Sequence, residues 1–139
     1  MIRGAGVIPY CSNTNKYLLN LRSKDVNQPL TWSSWGGEAE EGETLLSCAT
    51  REFIEESGYS GEVNLIRCYT FRRPQITYIN YMLILDEEFD PILSWESEDG
   101  KWFSLEEIKT LRNKHFGLIY LLNSKEFFDF LENFTYISN

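Results

Sequence analysis

Apolar positions fall into two kinds of pattern along this chain, and the switch between them lays out its elements. Gly4 to Tyr10 (GAGVIPY) and Lys16 to Leu21 (KYLLNL) are short apolar runs separated by Cys-Ser-Asn-Thr-Asn, which predicts a hairpin feeding a sheet. Arg22 to Thr31 reads as a polar loop. From Leu45 the period changes: Leu45, Leu46, Ala49 and Phe53 recur at helical spacing, with Thr44 as N-cap and Gly58 as the left-handed residue beyond the end. Glu62 to Phe71 and Gln75 to Asp86 then alternate as strands do, rich in β-branched and aromatic residues and joined by Arg72-Arg73-Pro74, so they predict an antiparallel pair. On the second of these, Tyr78, Asn80 and Met82 share one face and Thr77, Ile79, Tyr81 and Leu83 the other. The pattern does not say which face lines a pocket.

The last third of the chain is helical in outline. Lys101 to Phe103 reads as a strand leading to a helix, whose start is marked by Ser104 and, three residues on, Glu107, the signature of a capping box. Between Phe116 and Phe134, apolar residues return at helical spacing, with Ser124 placed to cap a final segment. Strands alternating with helical regions predict an α+β chain, an α/β/α sandwich around a mixed sheet.

Composition narrows this without changing it. A length of 139 residues suits one domain spanning residues 1–139, and 42% hydrophobic content is enough for a core and excludes a disordered tail. No uncharged apolar run is long enough for a membrane span, and the N-terminus does not read as a signal peptide, so a cytoplasmic location is expected. Cys11, Cys48 and Cys68 are odd in number and lack zinc-like spacing, which predicts reduced thiols. A net charge of −8 argues against a stable nucleic-acid complex, which rests on basic surface.

The chemistry concentrates where the acids do. Glu52, Glu55 and Glu56 are related by i,i+3 and i,i+4 spacing and should project together from the last turns of the first helix. Like charges at that spacing oppose the helix, and the macrodipole disfavours anions at its C-terminal end, so something must offset them. Arg51 can pair with Glu55, but one cation does not neutralise three anions. Hard divalent cations take oxygen ligands, and Mg²⁺ is commonly held by carboxylates together with substrate phosphates.

The spacing is specific as well. Gly37, five residues, Glu43, seven residues, Arg51-Glu52-Phe53, one residue, Glu55-Glu56, one residue, Gly58 and Tyr59 together resemble the signature box of the Nudix hydrolases. Phe53 and Tyr59 stand where that family usually has aliphatic residues, and Trp35 occupies a usual proline position. The resemblance implies a Nudix-type sandwich that uses Mg²⁺, or Mn²⁺, to hydrolyse a phosphoanhydride in a nucleoside diphosphate linked to another group. Nucleoside triphosphates, oxidised ones included, and ADP-ribose-like compounds lead as substrates.

By the same resemblance, metal ligands are expected among Glu52, Glu55, Glu56, Glu43, Glu96 and a main-chain carbonyl at Gly37. Arg51 would orient the carboxylates, and Glu52 or the loop acid Glu98 would take the proton. Arg22, with Asn27 and Gln28 in the same loop and Tyr78 on the strand, is expected to meet substrate. His115, the sole histidine, reads as a surface or capping residue outside the site. Dimers occur in the family, so a homodimer is an expectation. The competing readings are a nucleotide-sensing binding module that keeps the fold without catalysis, and an interaction domain that merely carries an acidic helix.

Overall fold

The computed structural model describes residues 1–138. Its central strand, β1 (Ile2–Cys11), has the near-continuous apolar run expected of a strand covered on both faces. One edge of β1 runs parallel to β6 (Ile76–Leu85) along its whole length, from Ile2↔Ile76 to Cys11↔Leu85. Its other edge is shared. The first half pairs with β4 (Trp35–Glu38), from Gly4↔Glu38 to Val7↔Trp35, and the last residues pair with β2 (Lys16–Arg22) at Tyr10↔Tyr17. The expected hairpin is therefore real but short.

Outside β1 and β6 the sheet is antiparallel. β2 carries β7 (Ser97–Phe103) along one side and the two-residue β3 (Trp32–Ser33) at its end, and β5 (Leu65–Arg73) closes the far edge against β6. This is the mixed sheet that the pattern of strands and helices predicts.

Alternation splits the core into two layers. Ala5, Val7, Leu18 and Leu83 face one way and pack with Cys48, Ala49 and Phe53 of α1 (Leu45–Ser57). Ile8, Tyr17, Leu19 and Met82 face the other way, onto Ile108 of α2 (Leu105–Thr110), Leu118 and Leu121 of α3 (Phe116–Leu122) and Phe127 of α4 (Lys125–Ser138). Helices thus cover both faces, giving the α/β/α sandwich. The C-terminal helical stretch is two helices, because the turn at Asn123 and Ser124 interrupts it and the Ser124 hydroxyl accepts from the Phe127 N–H (3.3 Å).

The local signals carry over closely. Thr44 caps α1 by accepting from the Ser47 N–H (3.1 Å), and Gly58, at φ 66°, returns its N–H to the Ile54 carbonyl. The capping box at Ser104 and Glu107 closes in both directions. All three cysteines are buried and free. No helix among the described residues is long and apolar enough to cross a membrane.

The two aromatic departures from the resembled box, Phe53 and Tyr59, pack together with Trp35 just before it. Trp35, Phe53 and Tyr59 join Phe89 and Trp102 in one aromatic cluster, with ring centroids 4.8–6.4 Å apart. Trp35 is fully buried and donates its indole N–H to the Leu18 carbonyl (3.1 Å). An enlarged side chain at one of these positions is accommodated by the others.

Candidate functional site

The short helix α1 brings its acids to the loop that precedes it, and Arg51 is where they meet. Its guanidinium grips Glu43 with two hydrogen bonds (2.7 and 2.9 Å) and reaches Glu52 at 3.0 Å and Glu55 at 3.3 Å. The fork geometry of arginine suits such multiple carboxylate contacts. In return, Arg51 holds the Glu43 carboxyl down to about 2, helped by the Glu40 N–H that the same carboxylate accepts. Glu43 was expected among the metal ligands, as a supporting or direct one. With both its oxygens bonded to Arg51, it stands in the supporting place at this hub.

The three helix acids act on one another, Glu55 on Glu52 and Glu52 on Glu56, but they differ in exposure. Glu55 is exposed, with 58% of its side chain open, whereas Glu52 is largely covered and Glu56 is only 4% exposed. The helix turns Glu55 outward and Glu56 under the β1–β4 edge. Burial pushes Glu56 up to about 8, with the charges of Glu52 and Glu96 acting in the same direction and the Gly36 amide opposing. Its Oε1 is buried without a hydrogen-bond partner. Glu52 is raised by burial too, against the pull of Arg51.

Glycines make this approach possible. A Cβ on Gly37 would stand 2.7 Å from the Glu52 carboxylate, and one on Gly36 would stand 2.4 Å from the Tyr78 hydroxyl. Only a backbone without side chains lets these groups close in. The Gly37 carbonyl meets the Cys48 thiol (3.5 Å), whose proton is held firmly because burial raises it to about 11. Cys48 is thus a packing residue beside the site.

Among the described residues no three His, Cys, Asp or Glu side chains already stand as a ligand cage. Glu52 and Glu55 instead share the Arg51 Nη1. The donors nevertheless fit a hard divalent cation in kind, since all are oxygens and an orphaned buried carboxylate oxygen is what such a cation would satisfy. Glu56 and Glu52 are the side chains that could hold it. Of the two loop acids expected nearby, Glu96 acts on both Glu52 and Glu56, while Glu98 is exposed at the irregularity where β7 slips its register on β2. Glu96 is the loop acid whose charge acts on the helix acids, and Glu98 is exposed.

A cavity of about 360 Å³ opens beside this group on the α3 side of the sheet. Ile76, Tyr78 and Asn80 of β6 form its floor, so the Tyr78 face is the one that lines it. Tyr78 can lie there because its neighbours on β1 and β4 are glycines. Its ring crosses Gly4, and its hydroxyl is packed against Gly6 and Gly36, where burial and the nearby Glu56 charge raise its pKa. Tyr69, Phe71, Phe116 and Tyr120 build the apolar walls, with Arg73 stacked over Phe71 at 4.4 Å.

Arg22 joins the two regions. It lines the cavity, its charge reaches both Glu56 and His115, and its Nε donates to the Asn27 carbonyl (2.7 Å), shaping the loop that carries Asn27 and Gln28 to the rim. His115 and Phe116 line the cavity although neither was expected in the site. Gln28 contacts the His115 ring at 3.0 Å and accepts from the Phe116 N–H (3.0 Å). His115 caps α3, its Nδ1 accepting from Gly117, as its reading as a capping residue anticipated; it is also a cavity wall, and burial lowers it to about 4. Phe116 follows it. No spacing in the sequence ties position 28 to position 115.

The sequence profile of the NUDIX domain matches residues 2–122. Among solved structures, an Ap4A hydrolase from C. elegans, determined as a binary complex, superposes with a TM-score of 0.70 at 22% identity, over 96% of this chain and 99% of that one. A MutT/nudix family protein from Enterococcus faecalis gives 0.64 at 22% identity over 73% of this chain. A bifunctional NMN adenylyltransferase/ADP ribose pyrophosphatase from Francisella tularensis, complexed with AMP and a Mn ion, gives 0.67 at 20% identity over 90%. The present chain spans 43% and 42% of those last two chains. At these identities the likeness is one of fold.

Proposed function

Because this chain belongs to the Nudix hydrolase family, we propose that it hydrolyses a phosphoanhydride bond in a nucleotide, with Mg²⁺ or Mn²⁺ as cofactor. The observation that carries this reading is Glu56: a buried carboxylate with an orphaned oxygen, next to Glu52, whose charge acts on Tyr78 in the lining of the aromatic cavity. A protein that needed only a charged helix would leave Glu56 in water. Burying an unpaired carboxylate costs several kcal/mol, of the order found for buried ions, unless a cation or a proton compensates it.

The residues divide the work as follows. Glu56 and Glu52, with the Gly37 carbonyl, would hold the cation. When bound, it supplies charge screening for the diphosphate and acidifies a bound water. Arg51, anchored by Glu43, positions Glu52 and Glu55 and does not itself touch substrate. Arg22 meets phosphate at the boundary between acids and cavity. The base lies against Tyr78 and between the walls made by Phe71 and Phe116. As the water oxygen bonds to phosphorus and the bridging P–O bond breaks, the proton passes to Glu52 or Glu96, the carboxylates whose charges already act on Glu56.

For the substrate, a nucleoside triphosphate or an ADP-ribose-like compound fits one base in one cavity with a diphosphate over the acids. The named activities of the C. elegans and Francisella tularensis neighbours, both on nucleotides, support that class. Incubating the protein with MgCl2 or MnCl2 and a panel of such nucleotides, and following phosphate and nucleoside monophosphate release, tests the reading. Turnover abolished by EDTA is expected; metal-independent binding without turnover would replace it with the sensing module.

A further inference from the structure

We propose that Asn20 and Ser97 are a positioning pair, whose buried hydrogen bond clamps the turn that carries Glu96 and so fixes that carboxylate for the reaction. The starting observation is a polar residue where the pattern calls for an apolar one. Asn20 follows Leu18 on the face of β2 that packs against α1, yet it is an amide and only 2% exposed. Its cross-strand neighbours offer it no donor. Gly100 on β7 has no side chain, and the Ser33 hydroxyl on β3 donates to the Ser34 carbonyl. The donor is Ser97, itself buried, whose hydroxyl reaches the Asn20 Oδ1 at 2.6 Å.

Ser97 can do so because β7 is irregular. Leu21 pairs with Asp99 but Arg22 pairs with Ser97, so Glu98 is the extra residue on that strand. Residues opposite one another in a ladder share a face, which puts Ser97 on the face of Arg22 and Asn20. Without the slip, Glu98 would stand there.

Immediately before Ser97 the chain turns tightly. The Ser97 N–H returns to the Ser94 carbonyl (3.2 Å), leaving Trp95 and Glu96 at the two central positions. Both main-chain groups of Glu96 are occupied: its N–H donates to the Ser94 hydroxyl (3.3 Å), and its carbonyl accepts from the Ser23 N–H (2.9 Å). Ser23 adjoins Arg22 in the cavity lining, and the charge of Glu96 acts on Glu52 and Glu56. The turn thus delivers a carboxylate to the boundary between acids and cavity. What closes it onto β2 from the interior is the Asn20–Ser97 bond, which water cannot contest.

This inference rests on Glu96 serving the proposed hydrolysis, and a double-mutant cycle tests it. Ser97→Ala should lower kcat at saturating MgCl2 at least tenfold, since a displacement of about 1 Å in a reacting group costs up to about 100-fold. Nucleotide binding in EDTA should stay within twofold of wild type. Glu96→Gln should lower kcat about 100-fold. In that background, adding Ser97→Ala should change kcat less than twofold, because the group it positions is already gone. Ser97→Thr, which keeps the hydroxyl, should stay within threefold of wild type. Independently of turnover, amide hydrogen exchange in EDTA should show the Ser23 N–H exchanging at least tenfold faster in Ser97→Ala, with the α1 amides unchanged.

Wild-type kcat in Ser97→Ala would overturn the assignment, and so would an equal loss in the Glu96→Gln background or a Glu96→Gln variant without effect. A Ser97→Ala protein that fails to fold would make the pair a core element and nothing more. No turnover by the wild type with any metal or nucleotide would bring down the hydrolase reading instead. The Ser23 exchange would then decide the clamp alone: faster exchange leaves it standing, and unchanged exchange removes it.

Discussion

The acids around Arg51 and the cavity above Tyr78 lie on opposite sides of the same strand edge and are built by opposite means. The first comes from one local stretch, residues 36–56, in which a helix and the loop before it fold back on each other. The second is assembled from β1, the loop at residues 27–28, β5, β6 and α3, and its contacts span as many as 88 positions, as between Gln28 and Phe116. Charge organises one and shape the other. The acid region balances several carboxylates against a single guanidinium, and the cavity is aromatic, with polar groups placed at its floor and rim. A diphosphate joined to a base needs both kinds of surface, and glycines at 4, 6, 36 and 37 are what let them touch.

Removing the buried acid should separate the regions most sharply. Glu56→Gln is expected to lower metal-dependent turnover by about three orders of magnitude while leaving nucleotide binding in EDTA intact. Its stability effect should have the other sign. A carboxyl raised to about 8 in the folded protein, from an ordinary value near 4.5, contributes stability that is whole below pH 4.5 and is lost as pH rises through 8. Without metal, the Tm of the wild type relative to that of Glu56→Gln should therefore fall across that window; differential scanning fluorimetry of both reads the difference. A variant that matched wild type in metal-dependent turnover would contradict the assignment of Glu56.

Gly36→Ala should damage both regions at once. The new Cβ would stand 2.3 Å from the Ala5 carbonyl oxygen and 2.5 Å from the Gly6 Cα, so two backbones would have to part. Overpacking of this sort costs about 1–3 kcal/mol. Thermal melting should show a loss of roughly 5–15 °C for a domain of this size. Gly42 offers the control: it has φ 79° but open space around it, so Gly42→Ala carries only the left-handed strain and should cost about 1 kcal/mol. Equal losses in the two variants would remove the argument that close approach, not turn geometry, is what position 36 requires.

Phe116→Ala acts on the cavity alone. The ring is 48% exposed and stacks on His115 at 4.8 Å, so its loss leaves the core in place. KM should rise about tenfold with kcat within twofold, the mark of binding shared by ground and transition states. A fall in kcat of similar size would mean that the wall also aligns the phosphates.

The same contrast explains what could be read in advance. Thr44, Gly58 and the Ser104–Glu107 box act within a few residues of themselves, so their spacing is their structure. The choice of face on β6 was not accessible, because it depends on Gly4 and Gly6 lying beside Tyr78 and Asn80 in a parallel neighbour more than seventy residues away. Glu55 and Glu56 are adjacent in sequence and equivalent by charge. Only the packing of α1 under β4 tells the exposed one from the buried one. Position alone offered Glu96 and Glu98 alike; that β7 slips register on β2 at Glu98 and that the charge of Glu96 reaches the acids appear only in the fold. Likewise Trp35, Phe53 and Tyr59 look like three separate substitutions until they meet Phe89.

Acid should dissolve the two regions in sequence, the cavity before the hub. His115 titrates at about 4 in the folded protein against 6.5 unfolded, chiefly through burial with Arg22 adding to it. A depressed pKa means that the unfolded chain binds the proton first, so its contribution is whole above pH 6.5 and is lost as pH falls toward 4. Glu43 is depressed from 4.5 to about 2 by Arg51, so what it contributes is whole above 4.5 and is lost only between there and 2. Hydrogen-exchange protection factors should therefore decline first in residues 115–122, between pH 6.5 and 4, and in residues 38–46 only below 4.5. His115→Asn, which keeps a side-chain oxygen for the Gly117 N–H, should flatten the upper step and leave the lower one unchanged. Loss of both steps together in that variant would mean that the acid hub and the aromatic cavity open as one cooperative unit.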